Sequence, residues 1–287
     1  MSTLLLLTTI FGVSIQSVSI KAYGNKTGAK GRFIYLAISR LAGVIFLFCT
    51  ADSLCFDPEI IPYAVLFGVF YSVCALFSFL SINSGPLTLT SLITSYSLML
   101  PTAYGLIFLK DPISKGFYPG LIFLLISLML INKKTANNGV KITPKWILFV
   151  LITFLANGGC SIIQTIQRNA FKDVDGMYRN EFMIIAFLLF VTVTFVLSLF
   201  TERKDIFACA KKGWLLAIIC GVANTVVNLL TMVLQSYIPV SVLFPLVSAG
   251  GLVLTYFLSR FLYKEKLSLV QNIGFILGVI SVICLNI

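Results

Sequence analysis

Asn224, Asn228, Thr231 and Gln235 recur at i, i+4, i+7 and i+11 within an apolar stretch, a spacing that puts them on one face of a helix. Amides and hydroxyls of this kind recognise ligands by donating and accepting hydrogen bonds. Asn224 and Asn228 lead the candidates for a small-molecule binding site. The same amides serve equally as bonds between helices, each worth less than about 1–2 kcal/mol. Comparable groups lie elsewhere. Tyr71, Cys74 and Ser78 share a face, and Tyr71 offers a ring and a hydroxyl together. Gln16 is echoed by Gln164 and Thr9 by Asn157, with Ser14, Ser161 and Thr165 nearby; Gly158 and Gly159 make Asn157 a point of flexing or of tight packing. Ser91, Thr94, Ser95, Tyr96 and Ser97 precede Pro101, and Ser248 precedes Gly250-Gly251. Hydroxyls near a proline bind substrate or re-satisfy the carbonyls that the proline frees.

Arg40 is the one charge well inside an apolar run. It lies eight residues in, about 12 Å along a helix axis. A guanidinium cannot be neutralised, so it needs an anion, a cluster of carbonyls or water. Contact with an anionic substrate, capping of neighbouring carbonyls and snorkelling to the surface all meet that need. No Asp or Glu lies mid-run, and the chain has no histidine, which removes the commonest proton shuttle and metal ligand. None of the seven cysteines forms a C-x-x-C pair, and five lie in or beside apolar runs, where they read as small buried hydrophobes. The runs hold no clustered carboxylates, metal ligands or activated nucleophile, so no metal, cofactor or enzymatic activity is expected.

The elements that position these groups follow from composition. The chain has 287 residues, 59% apolar and only 11% charged, with mean hydropathy +1.01. A soluble domain is about a quarter charged, so a soluble enzyme, a disordered chain and a secreted disulfide scaffold are excluded. Ten apolar runs are marked: Leu4–Ile20, Phe33–Thr50, Ile61–Ile82, Leu87–Leu109, Phe117–Ile131, Trp146–Ile166, Phe182–Phe200, Trp214–Leu234, Val240–Leu262 and Leu267–Ile287. Each approaches the roughly 20 residues that a membrane span needs, the fifth being short. The first lacks a basic leader and a cleavage pattern and is read as a span rather than a signal peptide. Pro101 and Pro245 fall inside runs four and nine and are expected to kink or loosen them. The net charge of +11 sits in short turns, which marks topology and makes membrane lipid, rather than nucleic acid, the expected surroundings.

The runs repeat. Pro86 matches Pro239 and Ser95 matches Ser248 at a shift of 153. Lys110, Ser114, Gly120, Ser127 and Asn132 match Lys264, Ser268, Gly274, Ser281 and Asn286 at a shift of 154. Residues 1–132 thus form one five-helix repeat, 133–144 a basic connecting loop and 145–287 the second repeat. Five is odd, so the second copy enters the membrane from the opposite side, an inverted repeat of the kind found in transporters. Of the 21 basic residues, fifteen fall in loops one–two, five–six, seven–eight and nine–ten. The opposite loops hold five: Lys110, Lys115, Arg168, Lys172 and Arg179. The positive-inside rule places the fifteen in the cytoplasm and both termini outside a cell (inner) membrane.

Each four–five turn reads Lys-acid-x-[Ile/Leu]-Ser, as Lys110-Asp111-Pro112-Ile113-Ser114 and Lys264-Glu265-Lys266-Leu267-Ser268, followed by a Gly-containing apolar helix. With the duplicated five-helix unit, this resembles the EamA-type transporters of the drug/metabolite transporter superfamily over essentially the whole chain. The first turn has Asp where the family usually has Glu, and Arg40 stands where many members carry an arginine. The resemblance implies ten transmembrane helices arranged as two inverted repeats around a central cavity, with helices one, three, four, six, eight and nine around it. It also implies a secondary transporter of a small polar or amphipathic metabolite, working by alternating access as exporter or exchanger. Many members look N-in, whereas the lysines here argue N-out. The substrate-binding residues named are Gln16, Arg40, Tyr71, Ser95, Asn157, Gln164, Asn224, Asn228 and Ser248. The small multidrug relatives couple protons through a carboxylate in their first helix, where this chain has Gln16, so facilitated diffusion or exchange is expected. Asp111 and Glu265 read as surface ion pairs with their lysines. Gly116-x-x-x-Gly120 and Gly274-x-x-x-Gly278 fit either a homodimer through helices five and ten or packing within one chain. The rival reading is a non-transporting membrane scaffold or sensor.

Overall fold

The structure is a computed structural model and describes residues 2–27, 30–51, 53–84, 90, 93–94, 96–113, 115–131, 143–263 and 269–285. These form the helices α1 (Ser2–Thr27), α2 (Arg32–Thr50), α3 (Ile61–Ser84), α4 (Met99–Ile107), α5 (Phe117–Ile131), α6 (Pro144–Ala170), α7 (Arg179–Thr201), α8 (Ile206–Leu234), α9 (Val240–Tyr263) and α10 (Leu269–Leu285). No strand occurs among the described residues. Among the described residues six helical segments are long and apolar enough to cross a membrane: Ser2–Thr27, Arg32–Thr50, Pro58–Ser81, Pro144–Ala170, Gly176–Thr201 and Ile206–Leu234. Phe117–Leu130, Val240–Thr255 and Asn272–Leu285 are shorter apolar helices. Leu4, Phe48, Phe108, Leu155 and Phe200 remain exposed on their helices. Such surfaces suit lipid, and helices satisfy their own backbone groups there.

Helix ends move outward from the apolar runs where charged helix formers continue the pattern. α8 begins at Ile206, ahead of Trp214, through Lys211 and Lys212. Run four differs more. A short 3₁₀ turn at Tyr96–Leu98 leads into α4, whose first turn holds Pro101. A proline lacks the N–H that a first turn does not use, so the helix starts there instead of kinking. α9 continues through Pro245. The second turn motif, Lys264–Ser268, lies outside the described residues, as do Pro86, Ser91, Ser95, Ser114, Asn132, Asn286 and most of the 133–144 loop.

The chain forms two compact units, each drawing on both halves of the sequence. The first comprises Met1–Ser72 and Ile163–Val233. Within it α2 lies along α7, and both ends of the pair are pinned. Glu202, just past α7, accepts from Phe33 N at 3.0 Å and Ile34 N at 3.1 Å, capping the start of α2. Glu181, at the start of α7, accepts from Cys55 N at 2.9 Å beyond the end of α2. Carboxylates suit exposed N–H groups at a helix start. Lys30 pairs with Asp205 at 3.6 Å, so loops one–two and seven–eight, grouped together by the charge count, meet at one end. Tyr23, Ile34, Tyr35, Cys209, Ala217 and Cys220 form the core between α1, α2 and α8. At Gly221 a Cβ would overlap the carbonyl oxygen of Ser39, so only glycine lets α8 approach α2 this closely.

The second unit comprises Val73–Ile162 and Leu234–Ile287. Here α5 packs along α10. Ser127 Oγ donates to Gly274 O at 2.6 Å and Ser281 Oγ to Gly120 O at 2.8 Å. The bonds are reciprocal and join the residues matched at a shift of 154. Gly116 and Gly120 face Cys284 and Leu285 of α10, so this glycine face is used within the chain. Asp111 is not a surface ion pair: its Oδ2 accepts from Ser241 N at 2.7 Å and caps the start of α9. Lys110 takes a left-handed conformation, φ 55°, to turn the acid back toward that helix.

Gly221→Val should lower the melting temperature of the detergent-purified protein, overpacking costing about 1–3 kcal/mol. Gly24→Ala, where a Cβ meets nothing within 4 Å, should hold or raise it. Equal melting of the two variants would contradict the close contact.

Candidate functional site

Six of the nine named residues meet in the first unit. α8 presents Asn224 and Asn228 one turn apart, and close packing of α1 and α2 against it brings short side chains within reach. A Cβ at Gly12 would meet Val227, for example. Asn224 Nδ2 donates to Gln16 Oε1 of α1 at 2.8 Å. Asn228 Nδ2 donates to the Asn224 carbonyl at 2.8 Å and to its Oδ1 at 3.1 Å. Gln164 of α6 donates from Nε2 to Asn228 O at 3.1 Å and lies 3.5 Å from Asn228 Oδ1. Tyr71 of α3 donates its hydroxyl to Asn224 Oδ1 at 3.4 Å.

Arg40 of α2 anchors the far end. Its Nε donates to the Tyr71 hydroxyl at 3.1 Å, Nη2 donates to the same oxygen, and Nη1 donates to Ser39 Oγ at 2.8 Å. The guanidinium carbon lies 5.2 Å from the ring centre of Tyr71, 5.8 Å from Phe187 and 5.7 Å from Phe190. Cation–π contacts of this kind are worth up to about 2 kcal/mol each when water is excluded. Arg40 is buried. Of the three roles open to it, the structure places it behind Tyr71, inside an aromatic cage. Gln16, Tyr71 and Asn228 are half-buried, while Asn224 and Gln164 are buried.

The remaining names fall elsewhere. Asn157 belongs to the second unit, where Nδ2 donates to Ser97 Oγ and Oδ1 lies 3.8 Å from Cys74 Sγ. Ser248 is half-buried on α9 in that unit. Ser95 lies outside the described residues. Of the stripe on α8, Thr231 bonds back to Val227 O at 2.7 Å, and Gln235 is buried with neither amide atom bonded. Thr9 and Ser14 likewise bond back to carbonyls one turn earlier. Such local bonds compete with ligand contacts. Ser39, adjacent to Arg40, and the capping roles of Glu202 and Asp111 do not stand out from the apolar pattern. The available signal was an acidic residue directly after a helix end.

The network is built from amides, a phenol, a hydroxyl and a fixed cation, so what it can offer is hydrogen bonding and charge. In a double-mutant cycle on Gln16→Ala and Asn224→Ala, thermal melting should show coupling of about 0.6 kcal/mol, with an upper range of about 1.7. Additive effects would mean that the two side chains do not bond.

Comparison with known proteins adds three findings. No curated protein matches the sequence. One solved structure, described only as the crystal structure of a protein, shares the fold with a TM-score of 0.76 at 15% identity, covering 99% of this chain and 95% of that one. The model of the EamA-like transporter family matches residues 144–287, half of the chain. With six membrane-length helices among its described residues and a polar network within its first unit, the chain belongs to the EamA-like transporter family of multi-pass membrane transporters.

Proposed function

We propose that this protein is an alternating-access carrier for a small polar or amphipathic metabolite and that Gln16, Tyr71, Gln164, Asn224 and Asn228 bind it. The carrying observation is the single network that joins these residues from four helices to Arg40 on a fifth. Polar side chains are expensive in a membrane and are retained where they meet a partner or a ligand. Asn157, with Ser97, and Ser248 are proposed as polar groups for substrate within the second unit, taken by itself.

The reciprocal serine–glycine bonds between α5 and α10 support two inverted five-helix repeats, because a two-fold relation makes contacts come in exchanged pairs. The meeting of loops one–two and seven–eight supports the grouping from which cytoplasmic loops and outward termini are proposed. Gly116 and Gly120 are occupied within the chain, so a homodimer through α5 and α10 would use the exposed side chains of Ile122, Met129 and Ile276.

No carboxylate belongs to the network, which favours facilitated diffusion or exchange. Asn228→Leu should abolish uptake into proteoliposomes with unchanged expression; unchanged uptake would remove Asn228 from the site. A proton gradient imposed across the same vesicles should not drive accumulation above equilibrium, and uphill accumulation would overturn the uncoupled mechanism.

A further inference from the structure

From Arg40 through Tyr71 and Asn224 to Gln16, one line of hydrogen bonds runs donor to acceptor. Arg40 has donors only, and two of them fill the lone pairs of the Tyr71 hydroxyl. The Tyr71 proton therefore points onward to Asn224 Oδ1, which also accepts from Asn228 Nδ2. With that oxygen engaged, the Asn224 nitrogen faces Gln16 and donates to Oε1. The Gln16 nitrogen is left at the outer end, with only a long 3.4 Å contact to Gly12 O. The amide oxygens of Asn224 and Gln16 thus turn toward the guanidinium and their N–H groups away from it, while Asn228 donates into this line from the side and Gln164 donates to Asn228. Gln16, half-buried at the outer end, presents its N–H group, so a complementary ligand brings an acceptor to it.

The charge adds to this. Among the described residues no carboxylate pairs with Arg40. The acids of α7, the helix that supplies Phe187 and Phe190, lie at its ends and hold backbone N–H groups. Glu181 is six residues, about 9 Å along the axis, from Phe187. The network therefore carries one uncompensated positive charge in a medium of low dielectric. With an effective dielectric of about 20, this favours a monoanion bound beside the network over its neutral isostere by at least about tenfold.

Resting on the carrier reading above, we infer that the substrate is a small organic carboxylate. One cation balances one carboxylate, whereas a phosphate monoester brings a second negative charge that nothing in the network meets.

The test uses the full chain in proteoliposomes. The probe is a defined metabolite mixture in which each carboxylate is accompanied by its primary amide and its decarboxylated amine. Mass spectrometry records what accumulates above protein-free vesicles. Carboxylates should accumulate at least about tenfold over their amides, Arg40→Lys should retain that ratio, and Arg40→Gln should lose it. Asn224→Asp, nearly isosteric, compensates the charge from within and should shift accumulation to amides or amines, which keeps the test decisive if Arg40→Gln does not fold. Preference of the wild-type protein for amides or amines, or retention of the carboxylate ratio in Asn224→Asp, would overturn the inference while the carrier reading stands. Accumulation of nothing would overturn the carrier reading and the inference together.

Discussion

A guanidinium keeps its proton wherever it is placed, so Arg40 imposes a permanent charge on a helix with an otherwise apolar interior. That charge organises the first unit. It is housed by the rings of Tyr71, Phe187 and Phe190 and by the oxygens of Tyr71 and Ser39. These contacts tie α2 to α3 and α7. They also fix the direction in which Tyr71 donates, and through it the orientation of Asn224 and Gln16. A neutral residue at this position would leave each amide of the chain two ways to point.

In lipid the hydrophobic effect does little to hold one helix against another, so close packing and hydrogen bonds must do it. Both units show this. Gly221 admits the Ser39 carbonyl, and Gly116 and Gly120 admit α10. Acidic residues at helix ends then set the register, Glu202 and Glu181 for α2 against α7 and Asp111 for α9. Glu181, Glu202 and Asp111 thus serve helix ends, while the network consists of amides and hydroxyls around one cation.

This distribution bears on how a transporter of this kind can work. Groups that bind without titrating give recognition without a proton cycle. The half-buried amides of Gln16 and Asn228 bond mainly to buried Asn224, so in the proposed site an entering ligand exchanges such bonds for its own. Such an exchange costs little when the ligand presents matching acceptors and much more when it leaves a buried N–H unmet.

The sequence by itself determined the solvent, the helical class and most helix positions. α2 and α5 end where runs two and five do, because an apolar stretch bounded by charge or glycine has one stable form in a bilayer. It also supplied the network's membership, since Gln16, Arg40, Tyr71, Gln164, Asn224 and Asn228 stand out as polar groups in apolar surroundings. Only the tertiary structure decided which of them meet. Asn157 and Gln164 share α6 yet bond in different units, and Asp111 and Glu202 cap helices more than 100 residues distant in sequence. Spacing along one helix fixes a face but not its neighbour. What the face meets depends on close approaches such as that at Gly221, where the absence of a single Cβ decides the distance between two backbones.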